Sequence, residues 1–161
     1  MRVVAYNREN ALNYAREWAF KRNPIYYDFS DLGGDCTNFV SQCLYAGSGI
    51  MNYTPNIGWY FISINNRSPS WTGVPFLYDF LVNNQSVGPF GRAVEYWQAE
   101  PGDIVQLGRN NGEFYHSMLI VNTTPEILVA SHSNDAYDRA LSSYSYDIAR
   151  FIKIDGVRFW Q

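Results

Sequence analysis

A cysteine at the predicted start of a helix is the residue in this sequence best placed to do chemistry. Cys36 follows two glycines and Asp35, and Asp35 is predicted to cap a helix that begins at the cysteine. The first N–H groups of a helix have no intrahelical partner and lie at the positive end of its dipole. This position favours the nucleophilic thiolate and supplies donors to an oxyanion on an attacked carbonyl. Cys36 is therefore predicted to be a nucleophile.

The second cysteine, Cys43, has the surroundings of a structural residue. It lies between Val40 and Leu44 on the predicted buried face of the same helix. Seven helical residues separate the two Cα atoms by roughly 10 Å, which exceeds the limit of roughly 7 Å for a disulfide. Both thiols are therefore predicted to be free, with Cys36 reactive and Cys43 inert.

The two histidines of the chain are predicted to face each other on neighbouring strands. His116 and His132 fall in strand-like segments joined by a short loop, and a hairpin centred on Thr124 places them directly opposite each other. In this register His132 holds the His116 ring in the tautomer whose other nitrogen takes the Cys36 proton. A slip of two residues would put Asn134 opposite His116 instead.

Two other interpretations of these residues stay open. Each histidine could be a core residue whose ring is satisfied by backbone groups. Cys36, His116 and His132 could also supply three zinc ligands, although no CxxC or HExxH spacing accompanies them. A cysteine at a helix start suits a nucleophile better than a ligand, so the set predicts cysteine-dependent chemistry without a metal or organic cofactor.

The elements that position these residues follow an α+β order. Asn7 is predicted to cap a first helix, the Cys36 helix is second, and residues 75–83 form a third. From about residue 100 the pattern is typical of antiparallel strands, so residues 1–161 are predicted to form a single domain. Residues 48–73 are irregular, and Trp59 and Trp71 in that segment are predicted to line one wall of a substrate cleft. The alternative is that these rings pack over the helices.

Composition excludes some functions and leaves others open. The chain has a net charge of −3 and no basic stripe, which argues against nucleic-acid binding. Its apolar stretches fall short of the roughly 20 residues that span a bilayer, so no membrane association is predicted. The N-terminus lacks the apolar region of a secretory signal. Localisation therefore stays open: the chain either acts where it is made or reaches the outside by another route.

Four segments of the sequence resemble, in the same order, the NlpC/P60-like cysteine hydrolases, and most closely the group called the putative amidase domain. They are Gly34–Ser41 (GDCTNFVS), Pro101–Leu107 (PGDIVQL), His116–Val121 (HSMLIV) and Ser131–Tyr144. The resemblance implies a papain-like fold in which a helix carrying the nucleophile packs on an antiparallel sheet. It also implies cleavage of a peptide or amide bond, commonly in bacterial peptidoglycan, with a peptidoglycan fragment or peptide as substrate.

The resemblance also implies site residues. Cys36, His116 and His132 match the catalytic positions, and members often add a tyrosine upstream of the nucleophile, for which Tyr26 and Tyr27 are both candidates. These tyrosines, together with Asp35 and Trp59, are the residues expected to contact substrate.

One position departs from the NlpC/P60 pattern. Those peptidases usually have glycine two residues after the nucleophile, where this chain has Asn38, so their specificity for stem peptides does not transfer. Two alternative functions stay open: a cysteine acyltransferase on the same fold, and a cell-wall or peptide-binding module without activity.

Overall fold

Helices from the N-terminal half of the chain pack on one face of an antiparallel sheet. A computed structural model describes residues 1–161. The α+β class predicted from the sequence is confirmed. No helix has the length and apolar character needed to cross a bilayer. The helices are α1 (Arg8–Trp18), α2 (Cys36–Ser48), α3 (Pro69–Thr72) and α4 (Val74–Asn83).

Seven of the nine strands form one antiparallel sheet, and two short strands form a separate hairpin. The sheet has the order β1-β9-β5-β6-β7-β8, and β4 pairs along the other edge of β9. The hairpin is β2 with β3. The strands are β1 (Arg2–Val4), β2 (Phe61–Ser63), β3 (Asn66–Arg67), β4 (Gly88–Val94), β5 (Ile104–Gly108), β6 (Phe114–Asn122), β7 (Leu128–Ser131), β8 (Ala136–Ala140) and β9 (Ile148–Phe159).

The two helices that frame the site begin where the sequence predicts. The Asn7 side chain accepts a hydrogen bond from the Asn10 N–H and so caps α1. Helix α2 begins at Cys36 and ends at Gly49, which adopts the left-handed conformation (φ 74°) that closes many helices. Most residues of α2 are buried, because the helix lies between α1, the sheet and the segment after it.

The sheet separates two apolar layers, and strand alternation decides which residues face each one. On the helix face, Leu119 and Ala130 pack against Phe39 and Cys43 of α2. On the opposite face Met118, Ile120 and Val129 pack together with Ala99, which follows the 3-10 turn 96–98, and with Leu141 of the 3-10 turn 141–143. The side of the sheet on which a residue of β6 or β7 lies therefore determines whether it can meet α2.

The predicted cleft wall is wrong, because both of its indoles belong to the core. Trp59 and Trp71 are each 0% exposed. Trp71 donates its indole N–H to Asn38 and Trp59 donates to Ser41, both on α2. The segment 48–73 therefore wraps the buried side of α2 and satisfies its polar side chains, so Trp59 has no surface to offer a substrate.

Candidate active site

Cys36 occupies the first position of α2, and the backbone before it is shaped by two glycines. Gly33 and Gly34 have φ values of 87° and 101°, a region that residues with a Cβ seldom adopt. The Asp35 side chain makes no capping bond to the helix, contrary to the sequence prediction. The backbone N–H of Cys36 consequently has no acceptor among the hydrogen bonds of the structure, and it is available to an oxyanion.

The Cys36 thiol is nearly buried, and burial dominates its ionisation. The residue is 8% exposed, and desolvation raises the pKa of its thiol above the ordinary value. Hydrogen bonds from the Ser117 backbone and from the backbone and side chain of Thr37 oppose this effect by favouring the thiolate. The resting group is therefore a thiol near neutral pH. Attack by this sulfur requires a base that removes its proton.

Alkylation should distinguish the two cysteines. We expect iodoacetamide at pH 8 to modify Cys36 in the folded protein while Cys43 reacts only after unfolding, because Cys43 is 0% exposed and burial raises its pKa well above the ordinary value. Both thiols are free in the structure. Peptide mapping by mass spectrometry gives the two rates. Equal rates in the folded protein would contradict the assignment of Cys36 as the reactive thiol.

The predicted pairing of His116 with His132 is wrong by one residue of register. Next to the loop Asn122 lies opposite Leu128, so the loop is centred on residue 125 rather than on Thr124. A bulge between Ile120 and Asn122 in β6 then shifts the pairing by one residue, so that Ile120 lies opposite Val129 and Leu119 opposite Ala130. A shift of one residue moves every side chain of a strand to the other face.

The two imidazoles consequently lie on opposite faces of the sheet. Alternation along β6 places His116 on the same side of the strand as Met118 and Ile120. His132 shares the face of Ala130 and lies against α2, where its ring stacks on Phe39 with a centroid distance of 4.1 Å. Neither His132 nor Asn134 bonds to His116.

Ser131 takes the position in which the sequence placed His132. His116 Nε2 and Ser131 Oγ are 3.0 Å apart, and Ser131 Oγ donates a 2.7 Å hydrogen bond to the carbonyl of His132. Because a hydroxyl has one proton to donate, Ser131 accepts from the His116 Nε2–H. The network therefore assigns the tautomer of His116 and leaves Nδ1 as an unprotonated base.

The environment of His116 keeps the ring neutral. Burial and, to a smaller extent, the positive charge of Arg139 together lower its pKa to about 4. An imidazole with this pKa is unprotonated at neutral pH, so it can accept a proton from a thiol that is itself protonated.

The start of α2 contacts β6 at Ser117, the residue that follows His116. The Thr37 and Ser117 hydroxyls share a 3.0 Å hydrogen bond, and the Ser117 N–H interacts with the Cys36 sulfur. Ser117 directly follows His116 in the chain. No hydrogen bond joins the thiol to the imidazole in the resting structure, a common condition of catalytic pairs before substrate binds.

Both ring nitrogens of His132 are occupied. Nε2 donates a 2.8 Å hydrogen bond to the Trp18 carbonyl, and Nδ1 lies 2.5 Å from the Asp35 carboxylate. His132 therefore has no nitrogen for proton transfer or for a metal. The three zinc ligands considered from the sequence do not converge, because no group of three His, Cys, Asp or Glu side chains in the structure could hold a metal ion.

Asp35 is a buried structural carboxylate rather than a substrate contact. It is 0% exposed, and it accepts hydrogen bonds from the Phe29 N–H and the Asn38 amide as well as contacting His132. Arg22 approaches from outside, 3.5 Å from the carboxylate. Asp35 therefore connects the loop before the nucleophile to the first turn of α2 and to the turn after β7.

The two candidate tyrosines differ in exposure. Tyr26 is half-buried, stacks on Trp71 at 5.8 Å and has its pKa raised to about 12 by burial. Tyr27 is 42% exposed, and its carbonyl accepts a hydrogen bond from Asn38 in the first turn of α2. The Tyr27 ring packs edge-on against Phe29 at 4.9 Å. Because it is the more exposed of the two and its backbone lies at the first turn of α2, we retain Tyr27 as the candidate substrate contact.

Two surface cavities lie away from these residues. One is lined by polar residues near α4, including Asn52, Asp79 and Gln85. The other lies beside the 3-10 turn that contains Trp97 and includes Ile127 and Phe151. Neither cavity is lined by the proposed nucleophile or base, so the chemistry rather than cavity size identifies the candidate site.

Sequence comparison places the chain in a family. Residues 5–154 match the family described as Putative amidase domain. The chain therefore belongs to this family, and the family description supports a hydrolase that acts on amide bonds. It is 34% identical over 152 residues to the Uncharacterized protein YhbB of Bacillus subtilis (strain 168). The match covers 91% of this chain and 46% of that protein, so the chain spans about half the length of this relative. No solved structure matches the chain.

Proposed function

We propose that the protein hydrolyses an amide bond with Cys36 as nucleophile and His116 as general base and acid. His116 Nδ1 removes the thiol proton as the sulfur attacks the carbonyl carbon. The C–N bond then breaks, the amine leaves with the proton from His116, and a thioester remains. Water attacks the thioester and gives a proton to His116. The C–S bond breaks, the acid departs and the thiol is restored.

The hydrogen bond from His116 to Ser131 is the observation that carries this proposal. The bond points Nε2 at Ser131 and leaves Nδ1 as the base. An orienting partner on one nitrogen and a nucleophile on the other side is the arrangement shared by cysteine and serine hydrolases. Ser131 is therefore assigned the orienting role that the sequence gave to His132.

The backbone at the start of α2 supplies electrostatic stabilisation. The free N–H of Cys36 lies on the residue that carries the attacking sulfur, so it points toward an oxyanion formed on the bound carbonyl. The helix dipole adds positive potential at this end. Asp35 and His132 contact each other beneath the loop that precedes Cys36, and they act as positioning residues.

The substrate class follows from the resemblance of the sequence to NlpC/P60-like enzymes. A peptide amide bond in peptidoglycan is the proposed target, and bacterial cell wall the proposed setting. A cysteine acyltransferase would use the same thioester with an amine in place of water. A binding module without activity is disfavoured, because binding alone gives no reason for a thiol beside a neutral imidazole.

The test is digestion of purified muropeptides and of short peptides with the wild-type protein. Mass spectrometry identifies the cleaved bond and, after acid quenching, the acyl group on Cys36. Hydrolysis with a transient acyl adduct supports the proposal. Transfer of the acyl group to an added amine in preference to water would instead assign an acyltransferase. Absence of both reactions would leave the binding module.

The pH profile of kcat/KM should report the lowered pKa of His116. The active form of the base is the neutral ring, and a pKa of about 4 keeps that form populated to lower pH than an ordinary histidine does. We expect the acidic limb near pH 4, with circular dichroism verifying that the fold persists. A limb near pH 6.5 would contradict a buried neutral base.

A further inference from the structure

An arginine without an acidic partner lies beside the proposed base. Arg139 is opposite Val129 in the β7–β8 register, which places it on the same face of the sheet as His116. Its guanidinium lies over the Tyr144 ring, 3.8 Å from the centroid, and that ring is 6.2 Å from the His116 ring. No carboxylate lies within ion-pair distance of Arg139, although other arginines have such partners: Arg8, Arg22 and Arg92.

Two hydrogen-bond donors at this point have no acceptor. Arg139 donates through Nε and Nη2 to Ser143, and its Nη1 makes no hydrogen bond. The Tyr144 hydroxyl is buried and donates no hydrogen bond. Burial raises the pKa of Tyr144, and the charge of Arg139 and a hydrogen bond from its side chain oppose this rise without reversing it, so the hydroxyl keeps a proton to donate. A cation and a neutral donor without acceptors are complementary to a carboxylate, which accepts several hydrogen bonds at once.

The position of these donors indicates which part of a substrate they meet. In the proposed function, on which this inference rests, His116 delivers a proton to the leaving amine. Groups that flank His116 therefore face the leaving half of the substrate. In an amino acid the carboxylate is attached to the carbon that bears this nitrogen. One amino acid of the substrate can therefore contact both groups. Its nitrogen would hydrogen-bond to His116 and its carboxylate to Arg139, each at about 3 Å.

We propose that Arg139 and Tyr144 bind the carboxylate of the leaving residue. The preferred substrates are then amides whose leaving amine carries a free carboxylate, as in the last peptide bond of a chain. Binding of this carboxylate also compensates the charge of Arg139, which in the free protein opposes protonation of His116. Binding of a substrate with this carboxylate thereby raises the pKa of His116 and makes it a stronger base for the cleavage.

The first experiment compares two peptides that differ only at the C-terminus, one with a free carboxylate and one with a carboxamide. We expect the wild-type protein to prefer the carboxylate by about tenfold or more in kcat/KM, the range of a charged hydrogen bond. Arg139→Gln should bring the ratio close to one and retain cleavage of the carboxamide. Equal loss on both peptides would show that Arg139 only braces the turn at Ser143, and a wild-type ratio near one would overturn the proposal.

Arg158→Gln is the matched control. Arg158 also lies over an aromatic ring, at 3.7 Å from the Phe90 centroid, and donates to one backbone carbonyl. It is on β9 and pairs with β1 and β4 rather than with the strands of the site. The preference for the carboxylate should be unchanged in this variant.

The second experiment does not depend on hydrolysis. In Cys36→Ala protein, NMR titration follows the ring protons of His116, with His132 as the other histidine signal. N-acetylalanine should raise the pH at the midpoint of the His116 titration, and N-acetylalaninamide should leave it unchanged. Arg139→Gln should remove the effect of N-acetylalanine. If N-acetylalanine shifts the His116 titration but the protein hydrolyses no substrate, the proposed function is refuted and the carboxylate site stands. Hydrolysis without the response would refute the carboxylate site alone.

Discussion

Replacement of His116 by alanine should lower kcat/KM by roughly 10⁴-fold or more, and Cys36→Ala should have an effect of similar size. Groups that act together in one proton-transfer and attack step each remove most of the rate when deleted. The neutral thiol of Cys36 makes the base indispensable here, because burial keeps the thiolate scarce near neutral pH. Steady-state kinetics on the substrate identified by digestion gives the comparison.

Two further variants serve as comparisons for the losses of activity in Cys36→Ala and His116→Ala. Cys43→Ala removes the other thiol, which packs against Leu119 away from the base, and should keep near-normal kcat/KM. Ser131→Ala should lower kcat by less than His116→Ala, because the ring persists and loses only its orienting partner. Activity that survives in His116→Ala at the level of Ser131→Ala would contradict the assignment of His116 as the base.

Replacement of His132 by alanine should destabilise the protein by about 3–5 kcal/mol, because it leaves a buried carboxylate without its partner. Asp35 and His132 are 0% and 1% exposed, so water does not replace the lost contact. The ring stack on Phe39 is lost as well. Urea denaturation followed by circular dichroism gives the free energy of unfolding, and kcat of the folded fraction tests for a separate effect on the chemistry.

The contribution of the Asp35 charge to the loss of stability can be separated from that of the lost ring packing. Asp35→Asn in the His132→Ala background removes the buried charge that has lost its histidine partner and should recover part of the lost stability. Arg92→Ala serves as the control, since it breaks an exposed pair with Asp155 and should cost less than about 1 kcal/mol. If Asp35→Asn further destabilises the His132→Ala protein, the carboxylate is not the source of the penalty.

The sequence by itself determined the parts of the molecule that depend on local interactions. The cap at Asn7, the start of α2 at Cys36 and its end at Gly49 follow from side chains and glycines within a few residues of each boundary. Helical and strand periodicities gave the α+β class. Two separated, free cysteines followed from helix geometry.

Only the tertiary structure decided which polar residues meet at the site. One bulged residue in β6 placed His116 and His132 on opposite faces, and a pattern of alternating residues does not reveal such an insertion. The same shift put Ser131 on the side of the sheet that carries His116, where its hydroxyl reaches the ring. In the sequence, only its position next to His132 could have suggested it. The burial of Trp59 and the turning of Asp35 toward His132 depend on contacts between segments distant in the chain. Local propensity carries no information about such contacts, because they form only when segments distant in the sequence come together in the folded protein.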